Sequence, residues 1–218
     1  TTNQAVTLTN DVSAPTVSSV ALASGVSGVK KIGDVIPIEI SFNEVVVVAG
    51  GSPTLELETG TTDATATYAS GSGTNKLTFN YTVANTHVTS DLNYKATTSL
   101  VNPAGVTIRD NLGTDATLTL AATTDGSNAL GSVQNLEIDG VIPTVSGYAA
   151  TEGTNVITLT MSENIISSAT ASTLAGDFTV LVNTVAKTVS SVAPANGDSA
   201  TTSLVLTMAE AIPNDATV

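Results

Sequence analysis

The stretch Ile36-Pro37-Ile38-Glu39-Ile40-Ser41-Phe42 carries an apolar side chain at every even position, with proline, glutamate and serine between. Successive side chains of a strand point to opposite faces, so the three isoleucines and Phe42 are expected to line one buried face. The same period of two runs through Leu77-Thr78-Phe79-Asn80-Tyr81-Thr82-Val83. The two strands are expected to face one core, as sheet neighbours or from opposite sheets. Working outward, shorter runs of the same kind predict strands at 17–22, 55–58, 64–68, 92–96, 106–108, 116–120 and 133–138. Beyond residue 140 they predict strands at 156–161, 178–182, 185–192 and 203–208. Ser70-Gly71-Ser72-Gly73 suits a hairpin turn. Residues 167–175 are rich in Ala, Ser and Thr and read as one helical turn. No long helix is expected, and the reading is all-β.

Composition supports this. Of 218 residues 41% are hydrophobic, mostly Ala, Val, Leu and Ile, and the remainder is dominated by Thr, Ser, Gly, Asn and Asp. That is strand and turn vocabulary with enough apolar content for real cores. Lys and Arg number 6 against 19 Asp and Glu, a formal charge of -13, which argues against nucleic acid and anionic membrane surfaces as partners. There is no cysteine. A disulfide framework and a thiolate metal site are therefore excluded, and bound cations become a candidate means of stiffening. No apolar stretch approaches the roughly 20 residues a membrane-spanning helix needs. The chain starts at Thr1 and shows no signal peptide, which reads as an interior or processed piece of something longer.

Two junctions repeat one pattern. Asp11-Val12-Ser13-Ala14-Pro15-Thr16-Val17-Ser18 and Asp139-Gly140-Val141-Ile142-Pro143-Thr144-Val145-Ser146 share Asp, three residues, then Pro-Thr-Val-Ser. Proline suits an extended connection into an edge strand, where no ladder donor is needed. Domain starts are therefore placed near residues 11 and 140.

With its junction, "SFNEVV", "PTLELETGTTDATATYASGSGTNKLTFNYTV" and "IRDNLG", the span 11–139 resembles the immunoglobulin-like repeats of giant bacterial surface adhesins. The span 140–218, with "VITLTMSENI", "GDFTVLVN", "VAKTVSSVA" and "TSLVLTMAEAIPNDATV", is similar to the SwmB-type repeat of large cell-surface proteins. The resemblance implies two tandem immunoglobulin-like β-sandwich domains, the second lacking its last strands. It also implies that residues 1–10, "TTNQAVTLTN", are the closing strand of a preceding repeat. Either the chain is a window on a tandem array, or residues 1–10 complete a neighbouring copy by strand addition and so build head-to-tail polymers.

Strand parity singles out three carboxylates. Ile36, Ile38, Ile40 and Phe42 are followed on their face by Glu44; Ile157, Leu159 and Met161 by Glu163; Val106 and Ile108 by Asp110. A carboxylate at the lip of a core loses hydration, and a cation compensates for that. The first two strands of a sandwich run antiparallel, which predicts that Glu44 approaches Asp11 and Glu163 approaches Asp139. Asp110 lies in a loop expected at the same end as Glu44, and Asp198 is a weaker third candidate beside Glu163. Oxygen donors of this kind suit Ca²⁺, with its six to eight positions. The resemblance points the same way, because junction aspartates and the strand-ending glutamate are typical calcium ligands in similar repeats. The ion is expected to stiffen the domain junctions.

Nothing in the sequence suggests catalysis. The single histidine, His87, with Asp91 four residues on, is expected on a surface loop, and no G-x-S-x-G elbow accompanies it. Phosphate-binding and dinucleotide fingerprints are absent, as are the ligands for a zinc cluster. Sugar sites usually add aromatic platforms, and this chain has no Trp and 3% aromatics. The expectation is an extracellular, cell-surface structural segment without enzymatic activity, whose partners are neighbouring repeats or copies of itself. The alternative is an adhesin module that binds a glycan or another surface.

Overall fold

The structure is a computed structural model that describes residues 13–165, 174–194 and 198–214. The expected strand at 1–10, Asp11 and most of the expected helical turn at 167–175 lie outside these. The chain is all-β and sandwich-like, and it divides into two compact units between Val141 and Ile142.

The first unit contains β1 (Val17–Leu22), β2 (Lys30–Lys31), β3 (Val35–Ala49), β4 (Thr54–Glu58), β5 (Ala64–Ser70) and β6 (Thr74–Thr82). It continues with β7 (Val88–Thr89), β8 (Asn93–Tyr94), β9 (Leu100–Val101), β10 (Thr107–Arg109), a single helical turn α1 (Leu130–Val133) and β11 (Ile138–Asp139). The main sheet runs β1-β3-β6-β5-β4-β8, with β10 paired to the far half of β3 and β9 to β4, and a small sheet runs β2-β11-β7. The two period-two stretches are neighbours in the main sheet, in the antiparallel register Ile36↔Tyr81, Ile38↔Phe79 and Ile40↔Leu77. All six side chains are at most 1% exposed, and they form the core with Val20, Leu55, Leu57, Tyr94 and Leu130.

The strand expected to stop at Phe42 runs on to Ala49, with Val46 fully buried. Residues 133–138 hold the end of α1 and the start of β11 where one strand was expected, and 116–120 forms an isolated parallel bridge, Thr16↔Thr117, in place of the expected strand. These apolar runs still reach the core: Leu120 and Leu136 are buried without forming a ladder. The turn at 70–73 joins β5 to β6 as expected. Gly71, at φ 109°, belongs there because a Cβ would run into the Lys76 carbonyl.

The second unit contains β12 (Val145–Ala150), β13 (Val156–Ile165), β14 (Val180–Val182), β15 (Val185–Lys187), β16 (Val189–Ala193) and β17 (Thr201–Met208). Its sheet order is β12-β13-β17-β16, all antiparallel. This repeats β1-β3-β6-β5. The expected strand at 185–192 is split at Thr188, and its first part forms a hairpin with β14. Asn183 (φ 49°) and Thr184 (φ 67°) make that two-residue turn, both left-handed as a type I′ turn requires. Among the described residues, no helix is long and apolar enough to cross a membrane.

Register makes Ile40 of the first unit and Leu159 of the second equivalent, paired with Leu77 and Leu204. Ile40 is fully buried and Leu159 is half-buried. Ile40→Ala is expected to cost about 2–5 kcal/mol and Leu159→Ala distinctly less. Urea unfolding of both variants checks this, and equal costs would contradict the unequal cover.

Candidate functional site

The repeated junction sequence folds the same way twice. Thr16 N–H donates to Asn43 Oδ1 (2.7 Å), and Asn43 N–H donates to the Thr16 carbonyl (3.0 Å). In the second unit Thr144 N–H donates to Ser162 Oγ (2.9 Å), and Ser162 N–H donates to the Thr144 carbonyl (2.8 Å). The ladders then step from Val17↔Phe42 to Ser19↔Ser41 and from Val145↔Met161 to Gly147↔Thr160. Ser18 and Ser146 are therefore extra residues. Pro-Thr-Val-Ser encodes a β-bulge at the start of an edge strand.

A larger irregularity sits on the other side of the same strands. Pairing passes from Ser41↔Lys76 to Val46↔Thr74, and from Thr160↔Ser203 to Ile165↔Thr201. Five steps along β3 or β13 thus match two along the partner. Glu44 and Glu163 each stand three residues into this bulge, at equivalent positions and both half-buried. Glu44 does not end its apolar stripe, since Val46 on the same parity is fully buried. The glutamate interrupts a core-facing row. Glu163 Oε1 is buried without a hydrogen-bond partner.

Asp110 follows β10, whose Arg109 pairs with Val47, so the next register step sets Asp110 against Val46, two residues past Glu44. It is only 7% exposed. Its Oδ1 accepts from the Thr114 and Leu112 N–H groups, each at 2.8 Å. These bonds, Thr114 foremost, hold its carboxyl below the usual range despite burial. Oδ2 is buried without a partner. Thr117 N–H donates to the Pro15 carbonyl (2.7 Å). The end of the first unit where β1 begins therefore brings together Pro15, Thr16, Asn43 and Thr117, and register places Asp110 and Glu44 on adjoining stretches.

Asp139 lies in β11 of the first unit, half-buried, where its Oδ1 accepts from Val141 N–H at 3.2 Å. Gly140 beside it sits against the Ala84 and His87 carbonyls, where a Cβ would not fit. Its N–H donates to the His87 carbonyl (2.7 Å), and its own carbonyl accepts from Thr86 (2.9 Å). Glu163 belongs to the second unit, as does Asp198, which is exposed ahead of β17. Among the described residues no three His, Cys, Asp or Glu side chains come together in a group able to hold a metal ion. Four buried side-chain oxygens there lack a hydrogen-bond partner: Asp91 Oδ1, Asn102 Oδ1, Asp110 Oδ2 and Glu163 Oε1. Parity selects two of these four carriers; Asp91 and Asn102 sit outside period-two runs and carry no such signal.

His87 is not on the surface. It is 8% exposed, and its Nδ1 accepts from Ala84 N–H (3.1 Å) and lies 2.9 Å from the Tyr81 hydroxyl. An N–H can only donate, so Nδ1 is the acceptor, Tyr81 donates, and the ring proton belongs on Nε2. Burial pushes the His87 pKa down and that of Tyr81 up to about 12. The available signal was Tyr81 itself, a hydroxyl on a core-facing stripe that needs a nearby partner.

Comparison with protein families, curated proteins and solved structures finds no match for this chain.

The His87 shift carries a pH signature. Above its unfolded value of about 6.5 the ring is neutral in both states; below it the unfolded chain takes the proton first, so stability falls with pH until the lower folded pKa is reached. Asp110 and Asp125, both lowered by backbone N–H donors, add stability that is present above about 3.9 and lost as pH falls through their folded values. Urea unfolding against pH is expected to show both losses, and His87→Gln to remove the first while keeping the second.

Proposed function

We propose that this chain is a structural segment of an extracellular cell-surface protein, formed of two immunoglobulin-like sandwich repeats that hold calcium at their glutamate-bearing bulges. One observation carries this reading: the same bulge, with a half-buried glutamate at the same register position, occurs in both units. A carboxylate on a core-facing row is a cost unless something compensates its charge. Buried Glu163 Oε1 and Asp110 Oδ2, which no donor among the described residues satisfies, suit a hard cation that takes only oxygen ligands. In the first unit Glu44 and Asp110 would hold the ion with Asp11; in the second, Glu163 would be the anchoring ligand. Bound calcium would neutralise these carboxylates and tie the start of the first strand to the bulge of the second.

A role without catalysis accords with the burial of the single histidine, whose Nδ1 is committed to Tyr81 and Ala84. With no cysteine in the chain, bound ions are a candidate means of stiffening.

Extracellular calcium sites bind at roughly 10⁻⁴ to 10⁻³ M, and free calcium at about 100 times the dissociation constant adds about 2.7 kcal/mol per site. That is a large part of a domain's roughly 5–15 kcal/mol. Thermal unfolding with millimolar calcium is expected to give a Tm several degrees above that in chelator. Glu44→Gln and Glu163→Gln are each expected to remove part of the difference. An unchanged Tm in the wild-type chain would overturn the calcium sites.

A further inference from the structure

The shared register exposes one difference between the units. Val20 of β1 and Tyr148 of β12 are equivalent, paired with Ile40 and Leu159. Val20 is fully buried, whereas Tyr148 is 64% exposed. In the first unit the outer edge of β1 is closed by the segment around α1: Val20 N–H donates to the Asn128 carbonyl (2.9 Å), Leu22 N–H donates to Gln134 Oε1 (3.0 Å), and Leu130 is buried beneath. In the second, β12 pairs with β13 alone among the described residues. Between the sheet and β14 lies an open apolar groove of about 240 Å³, lined by Tyr148, Ile157, Leu159, Phe178, Leu181 and Leu206. An apolar groove beside an unpaired strand edge suits an added strand.

We propose that residues 5–10 of a second copy of this chain pair with the outer edge of β12 and set Val6 and Leu8 into this groove. Ala5-Val6-Thr7-Leu8-Thr9-Asn10 matches the six residues of β12, places Val6 and Leu8 on one face and Thr7 and Thr9 on the other, and contains no proline. Segments 166–173, 195–197 and 215–218 also lie outside the described residues. After Ile166 the first of these has only Ser, Ala and Thr, and the other two are too short. Charge favours a strand over face-to-face pairing: two copies at -13 each repel, while residues 1–10 carry no acidic side chain. Repeated, the contact is heterologous and builds head-to-tail chains.

The test uses the full chain in chelator, which separates it from the calcium reading. Light scattering is expected to show concentration-dependent growth beyond the 21.8 kDa monomer. Leu8→Asp and Tyr148→Asp should each weaken that growth by more than about tenfold, because a charge would enter an apolar groove. The chain lacks cysteine, so Leu8→Cys mixed with Tyr148→Cys under mild oxidation should give a disulfide-linked dimer. A monomer at every concentration with no cross-link overturns the proposal. So does growth that persists in Leu8→Asp, which would mean that another surface drives it. A double variant Leu8→Cys/Tyr148→Cys that closes within one copy overturns the second-copy occupant.

Discussion

Two central strands, β3 and β13, are paired on both edges and yet carry a glutamate on the parity that faces the core. Much of the molecule is arranged around that conflict. A regular ladder would drive the carboxylate into an apolar layer at a cost of several kcal/mol. The bulge lengthens the strand locally, leaves Glu44 and Glu163 half-buried, and lets the apolar row resume at Val46. Opposite it, the Pro-Thr-Val-Ser bulge and the side chain of Asn43 or Ser162 close the ladder where β1 or β12 begins. The device is kept at the same register position in two units of otherwise different size.

Around this shared centre the units are finished differently. The first spends residues after β6 on short strands, turns and α1, which carry Leu92, Tyr94, Leu100, Leu130 and Leu136 into one core. The second buries a smaller cluster around Ile157, Val192, Leu206 and Met208 and leaves Tyr148, Val145 and Leu181 exposed. Among the described residues the outer edge of β12 has no strand beside it, whereas the edge of β1 is closed by the segment around α1.

Polar groups inside the first unit are handled locally. Asp110 and Asp125 collect backbone N–H donors from the turns that follow them, which lowers their pKa values and organises the loops. Tyr81 and His87 satisfy each other in the core. The surface ion pairs, such as Lys76–Glu39 and Lys95–Asp63, are solvent-exposed and add little to stability.

Sequence by itself determined the period-two strands, because alternation along β1, β3, β6, β13 and β17 is written residue by residue in side-chain polarity. It also marked the repeated junction and the glutamates that break the apolar rows, since parity is a local property. Only the tertiary structure decided that those glutamates sit in bulges and not at strand ends, that 133–138 holds the end of α1 and the start of β11, and that His87 is buried. Each of these depends on partners distant in the chain: Thr74 and Thr201 set the bulge, β1 receives α1, and Tyr81 receives the imidazole. Polarity along a strand says which face is apolar; only the assembled neighbours decide how much of it is covered.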